Sequence, residues 1–236
     1  MKFFVGTSGF SYKEWKGSFY PEKMPPKQML GYYAQHFSAC EMNNTHYRMP
    51  TSALLESWAA EVPASFRFGL KAPQLITHFK RLKEVDEPTA HFLSVAAVLQ
   101  KKLGPLLFQL PPNFKKDVPR LESFLGLLKG GPPAAFEFRN QSWFDEEVFA
   151  CLRGHACALC IDDADYVKAD ELVSTAGWGY LRLRREKYSA KELSAWIEKI
   201  RSQKWSEVYV FFKHEDTGTG PKLAARFIEQ AEASGG

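Results

Sequence analysis

In the stretch AAFEFRNQSW, residues 134 to 143, Glu137 and Arg139 stand two apart, on the strand face opposite Phe136 and Phe138. A carboxylate and a guanidinium inside an apolar strand need a reason. Other apolar runs end the same way: Glu41 and Asn43 follow FSAC, Lys71 follows FRFGL, Gln109 follows PLLF, and Asp162 follows CALCI. Arg182 and Arg184 close GYLRLR, and Lys213 and His214 follow VYVFF. Such residues suit acid–base chemistry on an anionic ligand. Glu41, Glu137 and Asp162 supply carboxylates, and Lys71, if desolvated, is a base or a Schiff-base nucleophile. Lys71, Arg139 and Arg182 are the cations that would hold a phosphate or carboxylate. The blander reading of Glu137 and Arg139 is a structural ion pair in a layered interior.

Two other chemistries are weaker. Gln109 and Arg182 occupy the fourth and seventh strand ends, where many retaining barrel glycosidases carry their two carboxylates. His78 and His214 with the carboxylates could take a divalent metal, but two histidines among several cations make a poor cage. No cofactor is expected. The segment GTSG, with Thr7 and Ser8, offers backbone N–H groups to an anion or simply makes a tight turn. Tyr12, Trp15, Phe19, Tyr20, Tyr47, Trp143 and Trp178 are expected in loops at the mouth, stacking on a ring or closing loop cores. The basic stretches HFKRLK and LRLRREK would suit a phosphate backbone or a solvated helix face, so nucleic acid is the alternative partner.

Elements must bring these residues together. Eight short apolar or alternating runs recur, at residues 3–6, 37–43, 66–71, 105–110, 134–139, 157–162, 179–184 and 207–213. Helical patterns lie between them. Val85, Phe92, Ala96, Leu99 and Leu103 fall on one face, as do Val118, Leu121, Leu125 and Leu128, and Leu193, Trp196, Ile197 and Ile200. Ser189 with Glu192 predicts a capping box, Asp117 and Asp145 predict N-caps, Thr219 a helix entry and Gly130 a helix stop. Alternating strands and helices imply parallel strands joined by crossovers, and eight units imply a closed (β/α)8 TIM barrel with its site at the carboxyl ends of the strands. An open doubly wound sheet is the runner-up, without a G-x-G-x-x-G after the first strand to support it.

Composition sets the outer bounds. With 236 residues, 45% hydrophobic and 25% charged, and no linker-like stretch, one barrel domain over residues 1–236 is expected. No apolar run approaches the length of a membrane span, so a cytoplasmic protein without membrane partners is expected. A net charge of +4 permits an anionic partner without requiring one. Cys157 and Cys160 form a lone C-x-x-C whose members point to opposite strand faces, which argues against a metal or redox role for the pair.

The blocks GTSGFSYKEW, FYP, EMNNTHYRMP, FRFGLKAPQLITH, GPLLFQLPPNF, FEFRNQSW and VYVFFKHED, taken in order, resemble the domain of unknown function 72 family over nearly the whole chain. The resemblance implies a TIM barrel and brings no established activity. Its motif positions fall here on Gly6, Thr7, Ser8, Gly9, Tyr12, Trp15, Glu41, Asn43, Tyr47, Lys71, His78, Gln109, Glu137, Arg139, Ser142 and Trp143. Where the family often has Asn-Asn after the eighth strand, this chain has Lys213-His214. The expectation is an enzyme with Glu41, Lys71, Glu137 and Asp162 as catalytic groups. Thr7, Ser8, Tyr12, Trp15, Asn43, Tyr47, His78, Gln109, Arg139, Trp143, Arg182 and His214 would bind the ligand. The alternative is a nucleic-acid-binding or -processing barrel, metal-assisted in the manner of endonuclease IV.

Overall fold

The computed structural model describes residues 1–163, 172–213 and 218–234. Eight parallel strands close in sequence order, β1 to β8, with β8 pairing back onto β1. They are β1 (Lys2–Ser8), β2 (Ala39–Met42), β3 (Arg67–Lys71), β4 (Leu103–Gln109), β5 (Ala134–Glu137), β6 (Ala158–Asp162), β7 (Trp178–Leu183) and β8 (Glu207–Phe212). The helices are α1 (Met29–Tyr33), α2 (Asn44–Tyr47), α3 (Ser52–Glu61), α4 (Asp86–Ala96), α5 (Val118–Leu127), α6 (Glu146–Gly154), α7 (Ala190–Arg201) and α8 (Thr219–Ala233). This is the expected (β/α)8 barrel. Two helices share the β2–β3 crossover, and part of the β6–β7 crossover lies outside the described residues.

The local signals act where the sequence places them. Ser189 and Glu192 make a reciprocal capping box on α7, and Asp117 and Asp145 accept the first free N–H groups of α5 and α6. Gly130 takes a left-handed φ of 75° just past α5, where a side chain would be strained. One helical pattern overran. α4 ends at Ala96, Leu99 lies in a 3₁₀ segment, and Leu103 opens β4. Gln100 breaks the helix with a φ of 48°. Lys102 then donates its ammonium to the carbonyls of Ala59 (2.5 Å) and Val62 (2.8 Å), which have no intrahelical partner at the end of α3.

Strand alternation divides the apolar residues into two bodies. Phe68, Leu70, Phe108, Phe136, Phe138, Leu181 and Phe212 face outward and pack under the helices. Phe4, Ala39, Leu107, Ala135, Ala158, Cys160, Tyr180, Tyr209 and Phe211 fill the barrel itself. Phe4 stacks on Tyr209 with ring centroids 4.8 Å apart, plugging the amino-terminal half. Phe211 and Tyr180 pack over Gly69, where their atoms would be in ordinary contact, 3.4 and 3.5 Å, with an added Cβ. Cys157 belongs to the outer body and Cys160 to the inner one, as strand parity predicts.

Candidate functional site

The last inward positions of the strands are polar, and their side chains meet. Arg182, from β7, reaches across the barrel and donates to Glu137 Oε2 on β5 (2.5 Å) and to Glu41 Oε1 on β2 (2.9 Å). Tyr180, two residues earlier on β7, donates to Glu41 Oε2 (2.7 Å). Gln109 on β4 and Arg139, just past β5, both donate to Glu137 Oε1, at 2.7 and 2.9 Å. All four carboxylate oxygens therefore have partners. Burial alone would push both acids toward their neutral forms, but Arg182 opposes it. The Tyr180 hydroxyl and the nearby Ser8 assist at Glu41, and Arg139 and Gln109 assist at Glu137, so both carboxyls lie below the usual range.

Lys71 enters the same space from β3, in register with Leu107 of β4. It is 8% exposed, and among the described residues its ammonium has no hydrogen bond or ion pair. Burial, with Arg182 and Arg139 nearby, lowers its pKa from 10.5 to about 8, against the raising effect of Glu137 and Glu41. A lysine carbonyl also builds the wall. The Thr45 hydroxyl lies 2.8 Å from the Met42 carbonyl and 2.7 Å from that of Lys71, tying α2 to the end of β3. The anchor brings His46 over the mouth, its Nδ1 donating to the Ala72 carbonyl (2.9 Å).

His46 and His78 face each other with ring centroids 4.8 Å apart. Burial and the positive charge of Lys71 lower both pKa values to about 4, so both rings are neutral at physiological pH. With Nδ1 protonated, His46 keeps Nε2 as an acceptor. His78 lies on a π-helical turn, Leu75–Phe79, after β3. Tyr47 and Phe79 project from these two loops, 74% and 69% exposed.

The expected site residues divide accordingly. Glu41, Lys71, Gln109, Glu137, Arg139 and Arg182 form one group with His78 beside it. Asp162 ends β6 and pairs with Arg184 at 2.8 Å, at the edge of this group. Tyr47 is at the rim. Asn43 borders a cavity of about 360 Å³ between the first two loops, and its side-chain oxygen is buried without a hydrogen bond. His214 lies outside the described residues.

Several of the others are scaffold. Thr7 points away from the mouth toward Tyr33, whose hydroxyl accepts the Thr7 N–H (2.7 Å), and the Gly9 N–H donates to the Glu41 carbonyl (2.7 Å). These two N–H groups of GTSG are therefore engaged within the fold. Ser8 faces inward, toward Glu41. Trp15 and Trp143 are fully buried, so no ring can stack on them. Tyr12 packs on Trp15 (4.8 Å) and donates to the Ser8 carbonyl. Trp143 stacks on Phe138 (4.8 Å) and donates to the Phe114 carbonyl. Ser142 accepts the Lys116 N–H and Asn140 donates to Pro112, so the segment RNQSW pins the loop after β4 beside the loop after β5. Trp178 begins β7 and therefore sits at the opposite end of the barrel from the mouth.

Two partners escaped the sequence reading. Tyr180 carries the parity of Arg182, two positions earlier in GYLRLR, and that spacing was sufficient to find it. His46 had no such signal, because the Thr45 anchor on the Lys71 carbonyl and its own bond to the Ala72 carbonyl, both tertiary contacts, set its direction. Among the described residues no group of three or more His, Cys, Asp or Glu could hold a metal ion. No helix there is long and apolar enough to cross a membrane. A larger cavity, about 580 Å³, opens at the other rim between Leu128, Pro132, His155 and Trp178, away from the buried charges.

Comparison with known proteins bears on the fold and the family. The UPF0759 protein YunF of Bacillus subtilis is 24% identical over 223 residues, covering 89% of this chain and 78% of that protein. The UPF0759 protein YecE of Escherichia coli K12 is 32% identical over 113 residues, 48% of this chain and 42% of its own length. A DUF72 family protein from Thermotoga maritima superposes with a TM-score of 0.83 at 29% identity, covering 98% of this chain and all of the other. A methyltransferase from Methanosarcina mazei, at 7% identity and a TM-score of 0.56, shares the fold alone. Residues 4–236 match the family described as protein of unknown function DUF72, and the chain belongs to that family.

Proposed function

We propose that the chain is an enzyme that acts by proton transfer on a small anionic ligand at the carboxyl-terminal mouth of the barrel. The observation that carries this reading is Lys71, a buried amine inside a charged network that has no hydrogen bond or ion pair among the described residues. A structural ion-pair cluster would have used it. Glu41 and Glu137 are strongly ionised with every oxygen engaged, so they fix the charge frame and orient Arg182. Proton exchange near neutral pH falls to Lys71, with the neutral His46 and His78 as relays beside it. Lys71, Arg139 and Arg182 outnumber Glu41 and Glu137 by one positive charge, which favours a phosphate- or carboxylate-bearing ligand.

Calorimetric titration with phosphate tests the ligand class. The wild type should bind at moderate ionic strength, and Lys71→Met should weaken binding by roughly tenfold or more, the value of one charge-assisted contact. Unchanged binding in Lys71→Met, or none in a folded wild type, would refute the reading. The exposed rings of Tyr47 and Phe79 favour a second reading, in which the rim stacks on bases of a single-stranded nucleic acid. Loss of oligonucleotide binding on replacing both rings with alanine would support it, and binding indifferent to both would oppose it.

A further inference from the structure

We infer that Lys71 is a covalent nucleophile that condenses with the carbonyl carbon of a small aldehyde or ketone acid to form a protonated Schiff base. The choice of an acid-bearing carbonyl rests on the anionic-ligand reading; the covalent step rests on the geometry around the amine.

Three features of the site point to this step. The amine is at the carboxyl end of a barrel strand, its stem enclosed and its nitrogen without a hydrogen bond or ion pair among the described residues. The nearby carboxylates of Glu41 and Glu137 accept from Arg182, Tyr180, Gln109 and Arg139 and make no hydrogen bond or ion pair with it. A lysine that only clamps an anion works best fully protonated, whereas the surroundings of this one weaken its hold on the proton and bring the free amine within reach near neutral pH. Glu41 from β2, His46 from α2, His78 from the turn after β3, Glu137 and Arg139 from β5, and Arg182 from β7 are the charged and titratable groups that act on it. With a pKa of about 8 rather than 10.5, about 300-fold more of it is free amine at pH 7 than of an ordinary lysine.

The step balances without an outside oxidant or reductant. The free amine adds to the carbonyl carbon, forming a C–N bond while the carbonyl oxygen takes up a proton. The carbinolamine then breaks its C–O bond, water leaves, and the nitrogen becomes an iminium. Overall, one lysine ammonium and one carbonyl give one iminium and one water, so the positive charge in the mouth is kept. The Nδ1 bond to Ala72 leaves His46 Nε2 with its lone pair, and this ring, close enough to feel the Lys71 charge, would receive the proton the attacking amine sheds and return it to the departing oxygen.

Reductive trapping reads the step directly. Wild-type protein is incubated with glyoxylate or pyruvate and cyanoborohydride, which delivers hydride to the iminium carbon and fixes the adduct as a secondary amine. Intact mass and peptide mapping then locate it. The expected result is one equivalent on Lys71, formed before any other lysine reacts, at a rate that rises with pH to a midpoint near 8. Lys71→Arg should abolish that adduct, with circular dichroism checking its fold. Adducts spread over surface lysines with Lys71 unmodified in folded wild type would overturn the inference, and this arm needs no variant. If phosphate binds but no adduct forms, the nucleophile fails and the anionic-ligand reading stands. If neutral glycolaldehyde traps on Lys71 as fast as glyoxylate, the nucleophile stands and the preference for an acid falls.

Discussion

The two halves of the barrel interior are built from the same strands and obey opposite rules. In the amino-terminal half, Phe4, Tyr209, Leu107 and Ala135 fill space by shape, and the energy is apolar burial with ring stacking. One step of two residues toward the mouth, Leu107 gives way to Gln109, Ala135 to Glu137, Ala39 to Glu41 and Tyr180 to Arg182. There the energy is in paired charges, and each pairing is directional. A packed layer tolerates exchange of one apolar side chain for another of similar volume; a charged layer does not tolerate the loss of a single partner.

The largest expected effect comes from breaking the charged layer at its hub. Arg182→Met should destabilise the protein by about 3 to 5 kcal/mol, because two buried carboxylates lose their main partner. Phe211→Leu, in the apolar half, should cost much less, on the order of 1 to 1.5 kcal/mol. Denaturant melts of both variants measure the contrast. Adding Glu41→Gln and Glu137→Gln to Arg182→Met should recover most of the loss, and failure to recover it would mean that Arg182 acts through its packing.

Lys71 should behave in the opposite sense. Its folded pKa, about 8, is below its unfolded value of 10.5, so between these the unfolded chain binds the extra proton and stability rises with pH. Below pH 8 the fold carries the full cost of the buried charge. Lys71→Met should therefore stabilise the protein at pH 7 by up to about 3 kcal/mol, an advantage that shrinks as pH climbs from 8 toward 10.5. The difference between the two proteins is the useful quantity, since buried tyrosines such as Tyr20 and Tyr188, with raised pKa values, lower stability in both above pH 10.

His46 and His78 sharpen the comparison on the acid side. Both titrate near 4 in the fold against 6.5 unfolded, so stability should fall as pH drops from about 6.5 to 4. Glu41 and Glu137 add a further loss below about pH 4.5, as their unfolded counterparts take up protons first. Melts of His78→Gln should show a shallower decline between pH 6.5 and 4 than wild type. The smallest effect belongs to the surface: Ser189→Ala, which opens the capping box of α7, should cost about 1 kcal/mol at any pH in this range.

How far the sequence could be read follows from these differences. The strands were legible because their apolar runs are short and bounded, and period-two alternation placed Glu137 inward and Phe136 outward before any contact was known. The same alternation brought Glu41, Lys71, Gln109 and Arg182 to one end. It could not reveal which oxygen goes to which donor, because the clamp joins residues from four strands. Loops were less legible. Trp15 and Trp143 look like ligand-stacking rings by type, yet neighbours enclose both, and only tertiary packing decides between a walled-in ring and the open one of Tyr47. α4 was overextended because Leu99 and Leu103 keep a helical spacing that the break at Gln100 nullifies.

The reach of Arg182 also has a bearing on how the chain can assemble. Its two carboxylate partners lie 45 and 141 residues earlier, on β5 and β2. A chain that has emerged only as far as β6 holds both acids, but Arg139 pairs with Glu137, and among the described residues Glu41 has its ion pair only with Arg182, so a closed half-barrel of that length would bury an unpaired carboxylate. β7 must dock before the mouth can dry. The clamp thus serves as a completion check, keeping partial barrels open and hydrated until the seventh strand arrives, and it ties the appearance of a competent site to the final long-range closure of the fold.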